Sequence, residues 1–407
     1  QELTSPTEKN RIAFRSGQRF VQQWAQTIPT AEKFECSPDS IQLIVGGIGD
    51  LGMHTARFLV ERGARHVVLA GRSVFPDEDQ WHALREDAVF GDKIRLVREM
   101  KAAGATVQFE TLDISDRAQV AGLVSRLRET APIEVLVQAA AVISDQLLAA
   151  ATSEEIARVF SPKITGTTNL IDAVSDAPPR HILLYSSIGS VLGLPGQASY
   201  AAANAYMDAV AARFRGELNI QSINWCGWRG TGLARTEGGQ RAIEELALLG
   251  IDSLSTADAV RLVGHALESE HAQVAAIPLI LDGQFDSSAI DPDLAELRVS
   301  AARKQKKRVS RSDSGPAVQL QSVAKRDYSA AEVESIVFAS LSKLLDIDRA
   351  SIQADKSLGD LGVDSLLGLE FRKLMQASFG IVLSATLVWN YPTVRAVVNH
   401  IGEVVGV

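Results

Sequence analysis

Short apolar runs alternate with longer segments of helical periodicity between about residue 40 and residue 280. Such runs are typical of strands buried on both faces, and their alternation with helices favours a parallel sheet covered by helices. The pattern predicts an α/β fold, a Rossmann-like doubly wound parallel sheet, over residues 38–290. The seven predicted strands are IQLIV (41–45), HVVLAG (66–71), TVQFETLD (106–113), IEVLVQAA (133–140), HILLYSS (181–187), IQSINW (220–225) and AQVAAIPL (272–279).

Residues 328–407 have a purely helical pattern. SAAEVESIVFASLSKLL places apolar residues at helical spacing after Ser329, a suitable N-cap residue, and further helices are predicted from Ser365 and over residues 393–405. Helices without strands predict a small all-α bundle of the four-helix type. Residues 1–37 fit neither domain, although IAFRSGQRFVQQW (12–24) predicts a strand–turn–strand unit.

The stretch between the two predicted domains, residues 291–327, has the composition of a linker. Residues 298–311 hold seven basic side chains and no acidic one, and a segment rich in Ser, Asp, Gly and Pro follows. We therefore predict a flexible basic linker, in which about 30 flexible residues span roughly 30 Å root-mean-square.

Composition and charge limit the class of protein. With 46% apolar and 22% charged residues, the 407-residue chain is neither disordered throughout nor a coiled coil. Two cysteines cannot form a disulfide framework, and no apolar run approaches the roughly 20 residues that span a bilayer. The net charge of −8 argues against a nucleic-acid partner. We expect a cytoplasmic protein with no membrane partner, no nucleic-acid partner and no metal site.

A glycine-rich turn follows the first predicted strand of the sheet and precedes a helix. Its glycines have the spacing G-x-G-x-x-G, which allows a tight turn and brings backbone N–H groups close to a pyrophosphate at a helix N-terminus. The strand–turn–helix context strengthens a motif that is weak by itself. The residues assigned to this predicted dinucleotide site are Gly46, Gly47, Ile48, Gly49, Leu51 and Gly52.

The end of the second strand indicates which dinucleotide binds. Arg72 and Ser73 stand about 20 residues after the glycine turn, where an NAD enzyme places an acid to hold the ribose 2′-hydroxyl. A guanidinium suits the 2′-phosphate of NADPH instead. Asp113, with its neighbour Ile114, closes the third strand and is placed either to contact the adenine or to cap a helix.

Four side chains have the chemistry of carbonyl reduction. Ser187 ends a strand, Tyr200 opens a helix thirteen residues later, and Asn204 lies one turn further on the same helix face. A cationic Lys163 from an earlier helical segment would favour the phenolate of Tyr200 and lower its pKa toward working pH. Ser187 would hydrogen-bond the substrate oxygen, and Asn204 would hold Lys163 and a water chain for proton resupply.

Residues 40–285 resemble the ketoreductase domain of modular polyketide synthases, a branch of the short-chain dehydrogenase/reductase superfamily. The matching segments are VGGIGDLG, LAGRS, FSPKITGTTNL and YSSIGSVLGLPGQASYAAANAYMDA. The resemblance implies the catalytic set Lys163, Ser187, Tyr200 and Asn204, and it identifies residues 1–37 as a remnant of the structural subdomain. Val45, Asp50 and Gln138 depart from the family pattern.

The same resemblance bears on stereochemistry. A Leu-Asp-Asp motif marks one stereochemical class of the family, and here the segment reads Ile143, Ser144, Asp145. The other class carries Trp eight residues before the tyrosine, where this chain has Leu192. Asp145 therefore favours the class that gives a D-configured alcohol.

Residues 328–407 resemble an acyl carrier protein through LGVDSLLGLEFR and WNYPTV. The resemblance implies that a phosphopantetheinyl transferase attaches 4′-phosphopantetheine to Ser365 at a helix start, where the phosphodiester meets the positive end of the helix dipole. The chain is thus predicted to reduce a carrier-bound β-ketoacyl thioester to a β-hydroxyacyl thioester, with other polyketide synthase domains as partners. Two alternatives are a non-catalytic scaffold and reduction of an α-keto group in a hybrid synthase.

Overall fold

The computed structural model describes residues 12–27, 34–81, 90–280, 294–299, 301, 328–345, 347–363, 365–381, 383 and 387–407. Contacts divide the chain into two compact units. The larger comprises residues 26–247 and 251–279, and the other comprises the remainder. Of the predicted flexible linker, residues 291–327, the structure describes residues 294–299 and 301, which are helical, and the rest lies outside the described residues.

An antiparallel hairpin lies near the start of the chain. Strand β1, Ile12–Arg15, pairs with β2, Gln18–Val21. The two turn residues, Ser16 and Gly17, both have positive φ, which matches the twist of a tight two-residue hairpin. This confirms the strand–turn–strand unit predicted over residues 12–24.

A seven-stranded parallel sheet forms the centre of the larger unit, in the order β5-β4-β3-β6-β7-β8-β9. All seven predicted strands are confirmed, together with the Rossmann-like fold. The order reverses between β3 and β6, and ligands of such sheets bind beyond the carboxyl ends of the strands at this reversal. The strands are β3 (Ile41–Val45), β4 (His66–Gly71), β5 (Thr106–Thr111), β6 (Ile133–Gln138), β7 (His181–Ser187), β8 (Ile220–Trp225) and β9 (Gln273–Ala276).

Helices cover this sheet. Apolar residues of α3, α5 and α7 pack with the strands in one continuous buried cluster, while α1 contacts α2 and α9. A single turn of π-helix, Ser161–Thr165, joins α4 to α5. The helices are α1 (Asp50–Glu61), α2 (Gly91–Ala102), α3 (Arg117–Thr130), α4 (Ser153–Phe160), α5 (Gly166–Val174), α6 (Gly189–Leu192), α7 (Ala198–Phe214), α8 (Glu237–Leu248) and α9 (Thr256–Leu267).

Among the described residues of the C-terminal bundle, the helices are α10 (Ala330–Leu345), α11 (Ser365–Phe379), α12 (Leu387–Asn390) and α13 (Val394–Val405). Ser329 caps the start of α10 as predicted, since its hydroxyl accepts a hydrogen bond from the Glu332 N–H at 3.3 Å. Val337, Phe371 and Ile401 are fully buried and belong to one apolar core, so the bundle has a centre of its own. Within the described part of the chain, no helix combines the length and the apolarity needed to cross a membrane.

A buried titratable cluster lies at the edge of the sheet where the strands begin. The Glu134 carboxylate accepts hydrogen bonds from the Ser40 hydroxyl at 2.6 Å and the Ser37 N–H at 2.9 Å. Burial opposes ionisation of Glu134, but these hydrogen bonds outweigh it and lower the pKa. His181 is 7% exposed beside Phe34, and burial lowers its pKa to about 4.

The pKa of His181 predicts loss of stability in mild acid. The unfolded chain binds a proton at His181 below pH 6.5, whereas the folded chain resists protonation until about pH 4. Stability is therefore complete above pH 6.5 and falls by about 2 kcal/mol between pH 7 and pH 5. Urea unfolding can be followed by tryptophan fluorescence, because Trp81, Trp225 and Trp228 lie in this unit. The variant His181→Asn should lose this part of the pH dependence, and an identical slope in variant and wild type would contradict the assignment.

Candidate active site

A cleft of about 570 Å3 opens beyond the carboxyl ends of the central strands, at the reversal of strand order. Of the predicted site residues in the larger unit, Gly47, Asn204 and Asp145 do not line it. The structure brings the others together in one cavity, so that the glycine turn and the predicted catalytic side chains share one space. These lining residues are Gly46, Ile48, Gly49, Leu51, Gly52, Arg72, Ser73, Asp113, Ile114, Lys163, Ser187 and Tyr200.

The glycine turn fits a bound pyrophosphate. Gly46 has a φ of +81°, and a Cβ there would lie 2.5 Å from the backbone N of Ala140. A Cβ on Gly52 would lie 2.6 Å from the Cα of Gly47, so the helix start packs directly on the turn. Gly49 occupies the N-cap position of α1 and has no side chain to cover the free N–H groups of the first turn. These groups remain available to an anion.

Polar side chains that follow β4 and β5 line one part of the cleft. Arg72 and Ser73 are exposed and follow β4 directly. The Asp113 carboxylate accepts hydrogen bonds from the Ser115 hydroxyl at 2.7 Å and the Ser115 N–H at 2.9 Å, and these bonds lower its pKa. The possibility that Asp113 caps a helix is wrong, because Asp116 caps α3.

The π-helical turn delivers Lys163 into the interior. Lys163 is 1% exposed, donates a hydrogen bond from Nζ to the Tyr185 carbonyl at 2.7 Å, and lies 5.6 Å from the ring centroid of Tyr200. Gln138 fixes this turn by donating to the Pro162 carbonyl at 2.7 Å. This contact accounts for an amide at position 138, because an amide nitrogen can hold the carbonyl beside the lysine.

Tyr200 and Asn204 lie together on α7. The Asn204 amide nitrogen donates to the Tyr200 carbonyl at 2.7 Å, while its Oδ1 is buried without a hydrogen-bond partner among the described residues. Burial raises the pKa of Tyr200 to about 12 and lowers that of Lys163 to about 7. The direction for Tyr200 is opposite to the sequence-based expectation. Loss of solvation outweighs the opposing effect of the Asn204 side chain, and the phenol stays protonated.

Ser187 ends β7 at the floor of the cleft. Its Oγ accepts a hydrogen bond from the Gly189 N–H at 3.2 Å, which leaves the hydroxyl proton for another acceptor. Tyr200, Ser187 and Lys163 thus present a phenol, a hydroxyl and a buried amine to the same cavity. That arrangement can polarise a carbonyl and deliver a proton to its oxygen.

Asp145 does not line the cleft but contacts a residue that does. Its Oδ1 accepts a hydrogen bond at 3.1 Å from the Gln197 side chain, which does line it. Burial raises the pKa of Asp145. In the C-terminal bundle, α11 begins at Ser365, as the sequence predicted.

Two acidic residues near the cleft were missed in the sequence. Asp50 Oδ2 accepts a hydrogen bond from the Gly232 N–H at 2.8 Å and thereby ties the segment after β8 to the glycine turn. Asp208 lies two helical turns after Tyr200, on the face of α7 that also carries Asn204. The signal for Asp208 was the i, i+4, i+8 spacing of polar residues in an otherwise alanine-rich helix.

Comparison with known proteins assigns both domains. The model of the KR domain family matches residues 40–230, and that of the phosphopantetheine attachment site matches residues 335–401. A polypeptide of the phenolphthiocerol/phthiocerol polyketide synthase of Mycobacterium tuberculosis (strain ATCC 25618 / H37Rv) is 30% identical over 381 residues, which are 92% of this chain and 19% of that protein. The 6-methylsalicylic acid synthase of Aspergillus terreus is 31% identical over 380 residues, 91% of this chain and 21% of that protein. The chain spans about a fifth of the length of these relatives.

Solved structures agree with the fold and the family. The ketoreductase from the first module of phoslactomycin biosynthesis in Streptomyces sp. HK803 is 30% identical, with a TM-score of 0.57 over 69% of this chain and 61% of that one. An A-type ketoreductase from a modular polyketide synthase is 26% identical, with a TM-score of 0.59 over 69% of this chain and 56% of that one. The chain therefore contains a KR domain over residues 40–230, followed by a phosphopantetheine-binding carrier domain over residues 335–401, and its relatives are polyketide synthases. These domains imply a nicotinamide cofactor of the NADPH type and 4′-phosphopantetheine.

Proposed function

We propose that the chain reduces a β-ketoacyl thioester, held on the phosphopantetheine of Ser365, to the β-hydroxyacyl thioester with NADPH. The observation that carries this proposal is the position of Lys163, buried 5.6 Å from the ring centroid of Tyr200 in a cleft that also contains the glycine turn. When bound, the cofactor supplies the hydride for the β-carbon. The four side chains assigned to catalysis supply and control the proton.

Tyr200 is the proton donor in this proposal. A buried phenol with a pKa of about 12 is protonated at neutral pH and ready to donate to the substrate oxygen. Donation leaves a buried phenolate, which would be costly alone. Lys163, with a pKa of about 7, provides a positive charge close to it. The ammonium is therefore needed chiefly once the proton has left.

Ser187 and Asn204 complete the set. Ser187 donates its hydroxyl hydrogen to the substrate oxygen as negative charge develops there. The unpartnered Oδ1 of Asn204 offers an acceptor to a water molecule or to the Lys163 ammonium, through which a proton returns to the phenolate. Arg72 and Ser73, which line the cleft after β4, hold the 2′-phosphate. The first turn of α1, whose N–H groups have no side-chain cap, holds the pyrophosphate.

Asp145 orients the substrate rather than reacting with it. Its hydrogen bond to Gln197 fixes a polar side chain on the wall of the cleft, three residues before Tyr200. We assign the product as the D-configured alcohol on this basis and on the family resemblance of the segment around Asp145. A phosphopantetheinyl transferase and further polyketide synthase domains are the proposed partners.

The reaction can be tested with the full chain, NADPH and a β-ketoacyl N-acetylcysteamine thioester. The proposal requires one NADPH oxidised for each thioester converted and a product two hydrogens heavier by mass spectrometry. Comparing the product with both enantiomers of the standard alcohol tests the stereochemical assignment. Tight NADPH binding without turnover would contradict the proposal and favour the non-catalytic scaffold.

The cofactor preference makes a separate prediction for Arg72. Replacing Arg72 with alanine should raise the KM for NADPH by about 10- to 100-fold and leave the KM for NADH nearly unchanged, because a charge-assisted phosphate contact is lost. Arg213→Ala is the matched control, since Arg213 is an exposed arginine of α7 that pairs with Glu217 beyond the end of the helix. Equal losses with both nucleotides in Arg72→Ala would show that Arg72 does not read the 2′-phosphate.

A further inference from the structure

A polar network adjoins Ser187, and the half-buried Asp208 is at its centre. Its carboxylate accepts hydrogen bonds from the Ser222 hydroxyl at 2.5 Å and the Ser190 hydroxyl at 2.7 Å. The Asn224 amide nitrogen approaches both carboxylate oxygens, at 3.0 and 3.1 Å. One carboxylate of α7 thus gathers polar groups from β8 and from the residues that follow β7.

This network reaches the backbone of Ser187. The Asn224 amide nitrogen lies 3.2 Å from the Ser187 carbonyl oxygen, and the Ser190 hydroxyl lies 2.8 Å from the same oxygen. Asn224 also donates to Ser186 Oγ at 3.1 Å. Ser190 and Asn224, which contact Asp208, therefore also lie within hydrogen-bond distance of the backbone of Ser187.

Asp208 also affects the charge of Lys163. From α7, the Lys163 Nζ lies near the Tyr200 ring and 3.5 Å from the Met207 sulfur, and from β7 it contacts the Tyr185 carbonyl. Asp208 is the residue that follows Met207 on α7. Burial lowers the pKa of Lys163, and the negative charge of Asp208 acts against that lowering. Among these neighbouring groups, Asp208 is the one that carries a negative charge.

We propose that Asp208 is a positioning residue for the reduction: it fixes Ser187 through Asn224 and Ser190, and it supplies the counter-charge that keeps the Lys163 ammonium in the protein interior. The inference rests on the proposed function, because it gives Ser187 and Lys163 their roles. A purely structural Asp208, which only ties α7 to β8, would affect stability and leave the charge of Lys163 unchanged.

The two roles differ in their pH dependence. Reduction needs a charged Lys163, so activity declines as pH rises through the pKa of that lysine. Asp208→Asn removes the charge and keeps the size, so the alkaline decline of kcat should move down by about one pH unit, with kcat about tenfold lower at pH 8. Asp208→Glu keeps the charge and should return the decline to its wild-type position. Asp172→Asn, which removes an exposed carboxylate on α5, is the matched control and should leave the profile unchanged.

A direct measurement separates this inference from the reaction itself. The full chain carrying 13C-labelled lysine gives the titration midpoint of Lys163 from its Cε resonance, assigned by its absence in Lys163→Arg. We expect the midpoint to fall in Asp208→Asn and to stay at the wild-type value in Asp208→Glu and Asp172→Asn. If the wild type turns over and the Asp208→Asn midpoint and pH profile both match it, the role of Asp208 is overturned. If the wild type does not turn over, the proposed reaction fails, while the midpoint still decides whether Asp208 sets the charge of Lys163.

Discussion

Replacing Tyr200 with phenylalanine is expected to lower kcat for a β-ketoacyl thioester by about 10^3-fold, because general acid catalysis contributes roughly 10^2 to 10^4. The substitution removes one oxygen atom from a buried ring and keeps the contacts of the ring. Lys163 remains next to the ring. Among the residues that the structure describes, Tyr185 is the only other tyrosine that lines the cleft, and it is buried. The loss should therefore appear in turnover and not in folding, and stopped-flow oxidation of NADPH with saturating thioester measures it.

The same helix offers a matched control. Tyr206 lies six residues after Tyr200, and its hydroxyl bonds to Thr168 Oγ1 at 2.8 Å, away from the cleft. Tyr206→Phe removes a phenolic hydroxyl from α7 and should retain wild-type turnover. NADPH binding, followed by fluorescence, should be the same in both variants. Turnover in Tyr200→Phe within a few-fold of the wild type would contradict the assignment of the proton donor.

Patterns of buried residues predicted the sheet correctly, because a strand covered by helices on both faces must be apolar throughout. The predictions erred at the ends of β5, β6 and β9, where β9 ends at Ala276 and not at residue 279. Leu112, Ala139 and Ala140 continue the apolar runs, yet they lie beyond the ends of the strands and line the cleft. An apolar run indicates which residues are buried, but it does not show where the strand ends and the buried connection begins.

The candidate site was predictable where its members are close in sequence. Tyr200 and Asn204 follow from helical spacing, and the glycine turn follows from its own motif. The role of Asp208 was not predictable, because its partners Ser222 and Asn224 come from a strand that reaches α7 only in the folded chain. The predicted direction of the Tyr200 pKa shift was wrong for a related reason. The sequence indicates a cation nearby but not the depth at which the phenol is buried, and burial decides the direction.

A second substitution, in the carrier domain, is expected to abolish the attachment of phosphopantetheine. The variant Ser365→Ala should accept no phosphopantetheine, because the attachment forms a phosphodiester with the serine oxygen that alanine lacks. Incubation of the full chain with coenzyme A and a broad-specificity phosphopantetheinyl transferase, followed by intact-mass measurement, should give one added phosphopantetheine in the wild type and none in the variant. The helix that begins at Ser365 places the new phosphate at its positive end, which favours the charged product.

Ser351→Ala is the control for this experiment. Ser351 is exposed in a short helical turn of the same domain, so it is accessible to the transferase but does not begin a long helix. Ser351→Ala should load as completely as the wild type, and peptide mapping of the loaded wild type should place the group on the segment that contains Ser365. A wild-type chain that stays unmodified, or a Ser365→Ala chain that gains the group, would remove the covalent tether on which delivery of the ketone to Tyr200 depends.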